Sequence, residues 1–310
     1  MEKVYVTGRY TSQVVSIKHK IFIEPKLQWE LVENPEVAEI IIFFDYIEKD
    51  LLNLPGRKIL VRQEPKMVLP NNYNSKKLAN FDLIIDVGVP KENSPENVNW
   101  PQSISLGISG QATKKTTKAI LINSNLLSFA IDEMYSLRRT IAYNSDQIDL
   151  YGYGWNCGTK SSIRALLIEL RKFICKPQNI KVKGLRYFFR NQTNYKGSVE
   201  NKINTMEKYR IAVVIENSLS YVSEKIFDSF SAGCIPVYVG PDLRKCKIPN
   251  NLYIQAKPSE ESIMRAIEVA QGMDYGKWFT ELEKWLRSEE CRTEWSDDSF
   301  IIRLKGVITS

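Results

Sequence analysis

The sequence predicts an α/β protein made of two doubly wound domains. Three observations lead there. The chain has 310 residues, about twice the ~150 of a single average domain. Both halves repeat short strand-like runs followed by helical segments, the pattern of βα units. The runs are also apolar throughout rather than alternating, as befits parallel strands covered on both faces. Hydrophobic residues at 43% and charged residues at 25% exclude disorder as the main state. With 15 Gly, 13 Pro and 5 Cys, collagen-like and disulfide-scaffold classes are excluded too.

The elements follow in order. Residues 1–6 alternate like a strand, and 40–44, 58–61 and 83–85 are short β-branched runs bounded by Pro, Asn, Asp or Gly. Residues 107–118, polar and small with three lysines, read as a linker. This sets a first domain at 1–112 and a second at 113–310. The second opens with a strand at 119–122, a helical segment to about Tyr143 and a strand at 147–151. Runs at 210–215 and 235–239 with a helix between them form a βαβ unit. Trp278, Phe279, Leu282, Trp285 and Leu286 recur at helical spacing as a packing stripe. Two such domains are expected to face each other across a cleft, with ligands at the carboxyl rims of their sheets.

Charge and composition narrow the chemistry. A net charge of +7 suits anionic partners, and equally suits plain solubility. The single histidine, His19 in Lys18-His19-Lys20, cannot build a His-rich metal site, so acid–base work falls to a carboxylate. Cys157, Cys175, Cys234, Cys246 and Cys291 lack CxxC spacing and read as reduced, buried thiols of a cytoplasmic protein. No signal peptide or membrane-spanning run is expected.

The most informative stretch runs from Tyr209 to Pro241: strand, polar turn, helix, Gly stop, strand, Gly-Pro turn. Ser220 is the expected N-cap and Gly233 the left-handed stop. Glu224 and Lys225 then fall in the first helical turn, at the carboxyl end of a parallel strand. A lysine there opposes the positive end of the helix dipole, at a cost of some tenths to about 1 kcal/mol. A docked diphosphate would remove that cost. Local pairing with Glu224 or Asp228 is the other reading.

This stretch resembles the signature of the α-1,3/4-fucosyltransferases, glycosyltransferase family ten. The residues that carry the resemblance are Ile215-Glu216-Asn217-Ser218, Tyr221-Val222-Ser223-Glu224-Lys225, Ala232-Gly233-Cys234-Ile235-Pro236-Val237 and Gly240-Pro241, with Lys202 and Tyr209 upstream. Ser124-Asn125, Arg138-Arg139 and Tyr151-Gly152 resemble the opening of the family's donor domain. Arg62-Gln63-Glu64-Pro65, Phe81-Asp82 and Trp100-Pro101 resemble its acceptor-side segment. The resemblance implies a GT-B fold and an inverting transfer of L-fucose from GDP-fucose to a glycan hydroxyl in α-1,3 or α-1,4 linkage, with no cofactor and no metal. It implies Glu64 as general base, Glu224 on the ribose hydroxyls, Lys225 on the diphosphate, and Arg138 or Arg139 as second phosphate cation. Asn217 and Tyr221 would line the donor pocket. Base and clamp fall in different expected domains, as one-step inversion requires. The spacer Leu219-Ser220 is shorter than the family's, which leaves the hexose open to another nucleotide sugar.

Other motifs carry less. Gly152-Tyr-Gly154 followed by Gly158 has its third glycine one residue late for a dinucleotide fingerprint and reads as a turn. Asp297-Asp298 lacks a third metal ligand and reads as a cap or exposed turn. The basic-aromatic stretch 181–190 fits no RNA-binding pattern and reads as basic surface. Asn191-Gln-Thr193 is a glycosylation triplet, meaningful only in a secreted protein. The expected partners are a nucleotide-sugar donor and a glycan acceptor, with peripheral membrane contact allowed by the charge and no nucleic acid. The rival of a different class is a non-catalytic glycan- or nucleic-acid-binding protein.

Overall fold

The computed structural model describes residues 1–90, 96–100, 107–108, 115–128, 130–155, 167 and 194–310. The stretches 181–190 and 191–193, together with Pro101, Cys157, Gly158 and Cys175, lie outside them. The chain divides into two compact units. The first begins with β1 (Glu2–Gly8), α1 (Thr11–Ile23), β2 (Trp29–Leu31), β3 (Ile40–Phe44), β4 (Arg57–Arg62), the short α2 (Ser75–Leu78), β5 (Leu83–Val87) and β6 (Asn97–Val98). Its six strands pair in parallel in the order β2-β1-β3-β4-β5-β6. All five side chains of β3, Ile-Ile-Ile-Phe-Phe, are buried. A central parallel strand has two covered faces, so the uninterrupted apolar run is what its position demands.

The second unit holds β7 (Thr116–Ile122), α3 (Tyr135–Asn144), β8 (Ile148–Tyr151), β9 (Tyr195–Gly197), α4 (Lys202–Met206), β10 (Tyr209–Ile215), α5 (Glu224–Ser231), β11 (Ile235–Val239), β12 (Ile254–Gln255), α6 (Glu260–Gly272) and α7 (Tyr275–Leu286). Its sheet is parallel in the order β12-β11-β10-β7-β8-β9. The C-terminal stripe is α7, with Trp278, Leu282, Trp285 and Leu286 buried. The helical reading of 123–143 is corrected: α3 begins only at Tyr135. The amides of Asn123 and Asn125 donate to the carbonyls of Tyr151 and Tyr153, at 3.0 and 2.8 Å. That pairing holds the segment beside the loop after β8 and keeps it out of a helix. Lys115, at the end of the expected linker, donates from Nζ to the carbonyls of Glu207, Tyr209 and Ala232 at 2.9, 3.2 and 2.7 Å. Three donors meet three acceptors, and one of those acceptors caps the C-terminus of α5.

The chain then returns to the first unit through α8 (Glu289–Trp295) and α9 (Asp297–Thr309). Residues 245–247 also belong to that unit. An unbroken second domain to residue 310 is therefore corrected at its end. The reason is packing: Phe300, Ile301, Leu304 and Ile308 of α9 join the core of Val4, Ile42, Val61, Ile85 and Trp100, and Trp100 stacks on Phe300 at 4.5 Å. Asp297 and Asp298 occupy the first turn of α9, where carboxylates complement the dipole. Asp297 accepts from Trp100 Nε1 at 2.8 Å, and Lys20 lies 3.7 and 3.2 Å from the two carboxylates. Cys234, Cys246 and Cys291 are buried thiols. Among the described residues, no helix is long and apolar enough to cross a membrane.

Candidate functional site

β10 ends in the second unit's sheet with Ile215, and the next residue, Glu216, is fully buried at 0% exposure. A carboxylate there must be completely bonded, and it is. Its Oε1 accepts from the Ser223 amide at 3.0 Å and the Tyr238 hydroxyl at 3.3 Å. Its Oε2 accepts from the Ser223 hydroxyl at 2.6 Å, with Lys225 Nζ 3.5 Å away. This anchor fixes Ser223 in extended backbone and makes it the N-cap of α5, accepting from the Lys225 amide. The expected cap, Ser220, is corrected: its hydroxyl lies 2.6 Å from that of Ser218. Glu224 and Lys225 do open the helix. Its other end matches expectation, with Gly233 at φ +62. The Gly233 and Cys234 amides donate to Phe230 and Ser229, forming a Schellman stop.

Lys225 Nζ donates to Ser223 Oγ at 2.9 Å and lies 3.7 Å from Glu224 Oε1. Local pairing and position at the ligand rim thus hold together. Lys202, from the start of α4, stands 3.3 Å from Glu224 and 3.5 Å from Asp228. Burial would raise the Glu224 pKa, but the Lys225 and Lys202 charges outweigh it and bring the carboxyl down to about 2. Glu224 is therefore an anion at any working pH.

These side chains border a cavity of about 340 Å³ at the carboxyl rim of the sheet, inside the second unit, lined by Ser124, Arg138, Tyr153, Lys202, Asn217, Glu224, Lys225 and their neighbours. Arg138 is buried and donates from Nη2 to Ile215 O and, at 2.9 Å, to Asn217 Oδ1, while its Nε has no partner among the described residues. Burial pulls its pKa down, opposed by Tyr135, Glu216, Tyr221 and Glu224.

Of the residues expected here, Arg138, Asn217, Glu224 and Lys225 are brought together on the cavity. Arg139 is not among its lining; its guanidinium donates to Leu126 O. Tyr221 is buried behind Asn217, whose Nδ2 donates to the tyrosine hydroxyl at 2.8 Å.

The loop after β8 closes one side. Gly152 and Gly154 take φ +127 and +79, and a Cβ on Gly152 would sit 2.1 Å from Asn123 O. Gly152→Ala is expected to lower stability by about 2–4 kcal/mol, combining strained backbone with overpacking. Gly306→Ala, in the open interior of α9 with nothing within 4 Å of its Cβ, should instead stabilise by roughly 0.5–1 kcal/mol. Urea unfolding of both variants checks the opposite signs, and an unchanged Gly152→Ala midpoint would contradict the close approach.

Glu64 lies in the first unit, two residues past β4. Its backbone is gripped at both ends. The amide donates to Asp45 Oδ1 at 3.4 Å, and the carbonyl accepts from the Tyr73 hydroxyl at 3.1 Å. Tyr73 is in turn covered by the Arg62 guanidinium, 4.1 Å from its ring centre, and Arg62 is held bidentately by Asp86 at 2.7 and 2.8 Å. Asp45 also accepts from the Gln63 amide and the Asn72 side chain, and its buried Oδ2 has no partner among the described residues. Burial pushes its carboxyl up to about 6, against these N–H donors and Arg9.

Sequence reasoning missed Asp45, Tyr73, the anchoring of Glu216, the pairing of Lys202, and Tyr153. A signal existed for two of them. An acid directly after an apolar run of five strand residues, as at Asp45 after 40–44 and Glu216 after 211–215, sits at the rim where buried strands meet ligands.

No family model matches the chain, and no curated protein matches it in sequence. Solved structures do match in fold. An α1,3-fucosyltransferase with GDP-fucose superposes with TM-score 0.52 at 11% identity, covering 99% of this chain and 89% of that one. Sucrose-phosphate synthase from Thermosynechococcus elongatus gives 0.57 at 9%, over 100% and 98%. An α-glucosyltransferase in complex with UDP-glucose and DNA gives 0.55 at 11%, over 100% of both chains. What is shared at such identities is architecture: two parallel six-stranded α/β sheets, the GT-B fold of glycosyltransferases.

Proposed function

We propose that the protein is an inverting, metal-independent glycosyltransferase that moves L-fucose from GDP-fucose to a hydroxyl of an oligosaccharide or glycan, in α-1,3 or α-1,4 linkage. The observation that carries this reading is the rim of the second unit, where Arg138, Asn217, Glu224 and Lys225 border one cavity at the N-terminus of α5. Lys225 and Arg138 are the diphosphate cations. Glu224 accepts the ribose hydroxyls as the incoming phosphate takes over part of its hold on Lys225. Glu64 is the base: it removes the acceptor hydroxyl proton, the oxygen bonds to the anomeric carbon, and the carbon–oxygen bond to the diphosphate breaks on the opposite face. Charge building on the departing diphosphate is what the cations stabilise. The fucose assignment is supported by the resemblance at 215–241 and by the fold shared with the α1,3-fucosyltransferase.

The second reading, a different nucleotide sugar, is favoured by the short Leu219-Ser220 spacer and by the α-glucosyltransferase likeness, since cations do not read the hexose. Calorimetric titration of GDP, UDP and GDP-fucose with EDTA present separates the two. GDP and GDP-fucose should bind without metal and UDP weakly. Preference for UDP would transfer the reading to the second donor, and no binding at all would leave a glycan- or nucleic-acid-binding module. Lys225→Ala is expected to weaken GDP by about 1.5–3 kcal/mol, the value of a charged hydrogen bond. Unchanged GDP affinity in a folded Lys225→Ala variant would remove the clamp.

A further inference from the structure

We propose that the Tyr153 ring is the platform on which the aromatic base of the nucleoside diphosphate stacks, an inference that rests on the function proposed above. The tyrosine is 65% exposed, yet it borders the same cavity as Lys225 and Arg138. Its aromatic neighbours are committed inward. Tyr151 places its hydroxyl 3.1 Å from that of Tyr209, and Trp155, fully buried, donates to Asn123 O at 2.6 Å.

The backbone under Tyr153 is held more firmly than an exposed loop needs. Three consecutive carbonyls, those of Gly152, Tyr153 and Gly154, accept from the Tyr195 hydroxyl at 2.8 Å, the Asn125 amide at 2.8 Å and the Asn125 side chain at 2.9 Å. The Gly152 amide adds a bond to Gly197 O at 3.0 Å. Both flanking glycines are left-handed, a conformation that carries the loop sharply past Asn123 and leaves the aromatic ring between them. A ring whose backbone is fixed in advance loses little entropy when a flat ligand covers it.

Position along the rim identifies the ligand. The strand order runs β10, β7, β8, β9, so at about 4.8 Å per strand the end of β8 lies roughly 10 Å from that of β10. The phosphate cations sit where β10 leads into α5. The proposed ribose carboxylate, Glu224, is paired with Lys202, which follows β9. The same lining includes Val199 and Glu200, which follow β9, and Gly152 and Tyr153, which follow β8, so beyond the phosphate and ribose the cavity extends to that side, where the base comes to lie. Among the described residues of the cavity lining, Tyr153 is the aromatic on that side.

The test is calorimetric titration of GDP and of inorganic pyrophosphate into the 310-residue wild type, Tyr153→Ala and Tyr153→Phe, with melting curves for all three. Stacking on a tyrosine contributes about 1–3 kcal/mol, so Tyr153→Ala should bind GDP about 5- to 150-fold more weakly. It should melt with the wild type and bind pyrophosphate as the wild type does, while Tyr153→Phe keeps GDP affinity. Equal GDP binding by wild type and Tyr153→Ala overturns the platform and leaves the proposed function standing. Equal weakening for GDP and pyrophosphate also overturns it, because the ring would then serve the clamp or the fold. A wild type that binds no nucleotide overturns both.

Discussion

Glu64→Gln should retain GDP affinity and lose turnover by about 10²–10⁴-fold, the usual contribution of a positioned general base. The amide has nearly the carboxylate's shape but cannot take the acceptor proton at neutral pH. The backbone supports the comparison. Asp45 and Tyr73 hold the amide and carbonyl of residue 64, and neither contact uses the side chain that is changed. Melting curves beside the wild type check that the fold is kept. Initial rates with GDP-fucose and a panel of oligosaccharides, beside GDP titrations, provide the measurement. Wild-type turnover in Glu64→Gln would assign the base elsewhere, and Asp45, the next carboxylate at that strand rim, would be the first place to look.

Glu216→Leu is expected to destabilise the protein by about 3–5 kcal/mol, the range for breaking a buried ion pair by removing one partner. The Ser223 amide, the Ser223 and Tyr238 hydroxyls and the Lys225 ammonium all converge on this carboxylate. Leucine fills the volume and leaves four donors short of an acceptor. Glu216→Gln should lose less, because an amide oxygen still receives the Ser223 N–H. Urea unfolding orders the three proteins. Where Glu216→Gln folds, its GDP affinity should fall as well, since the first turn of α5 loses the anchor that aims Lys225. A Glu216→Leu protein as stable as wild type would show that the buried carboxylate does not organise this turn.

Much of the fold was legible because the strands are short, apolar and separated by strong breakers. Ile40–Phe44 and Ile235–Val239 appear as β3 and β11 with the bounds their apolar runs suggest. Failures came where distant backbone decides local shape. Residues 123–134 have a helix-compatible pattern, but their first amides are claimed by the loop after β8. Ser220 has the right chemistry for a cap, but Ser223 alone is gripped by Glu216. At the site, the order of Glu224 and Lys225 at the start of a helix could be read from one segment. Choosing Arg138 over Arg139 could not, because neighbouring residues on a helix diverge by about 100° and only packing shows which one borders the cavity. The counter-charge Lys202 comes from α4, another segment, so no local pattern announces its pairing with Glu224 and Asp228.

The return of α9 to the first unit has a consequence for how the chain tolerates being cut. Residues 1–102 on their own would display the apolar surface that Phe300, Ile301, Leu304 and Ile308 cover. That is a sticky, unfinished core and not a free-standing domain. Synthesis must therefore reach α9 before the first-made sheet can seal. A stop codon within residues 288–310 strikes the sheet that was synthesised well before it.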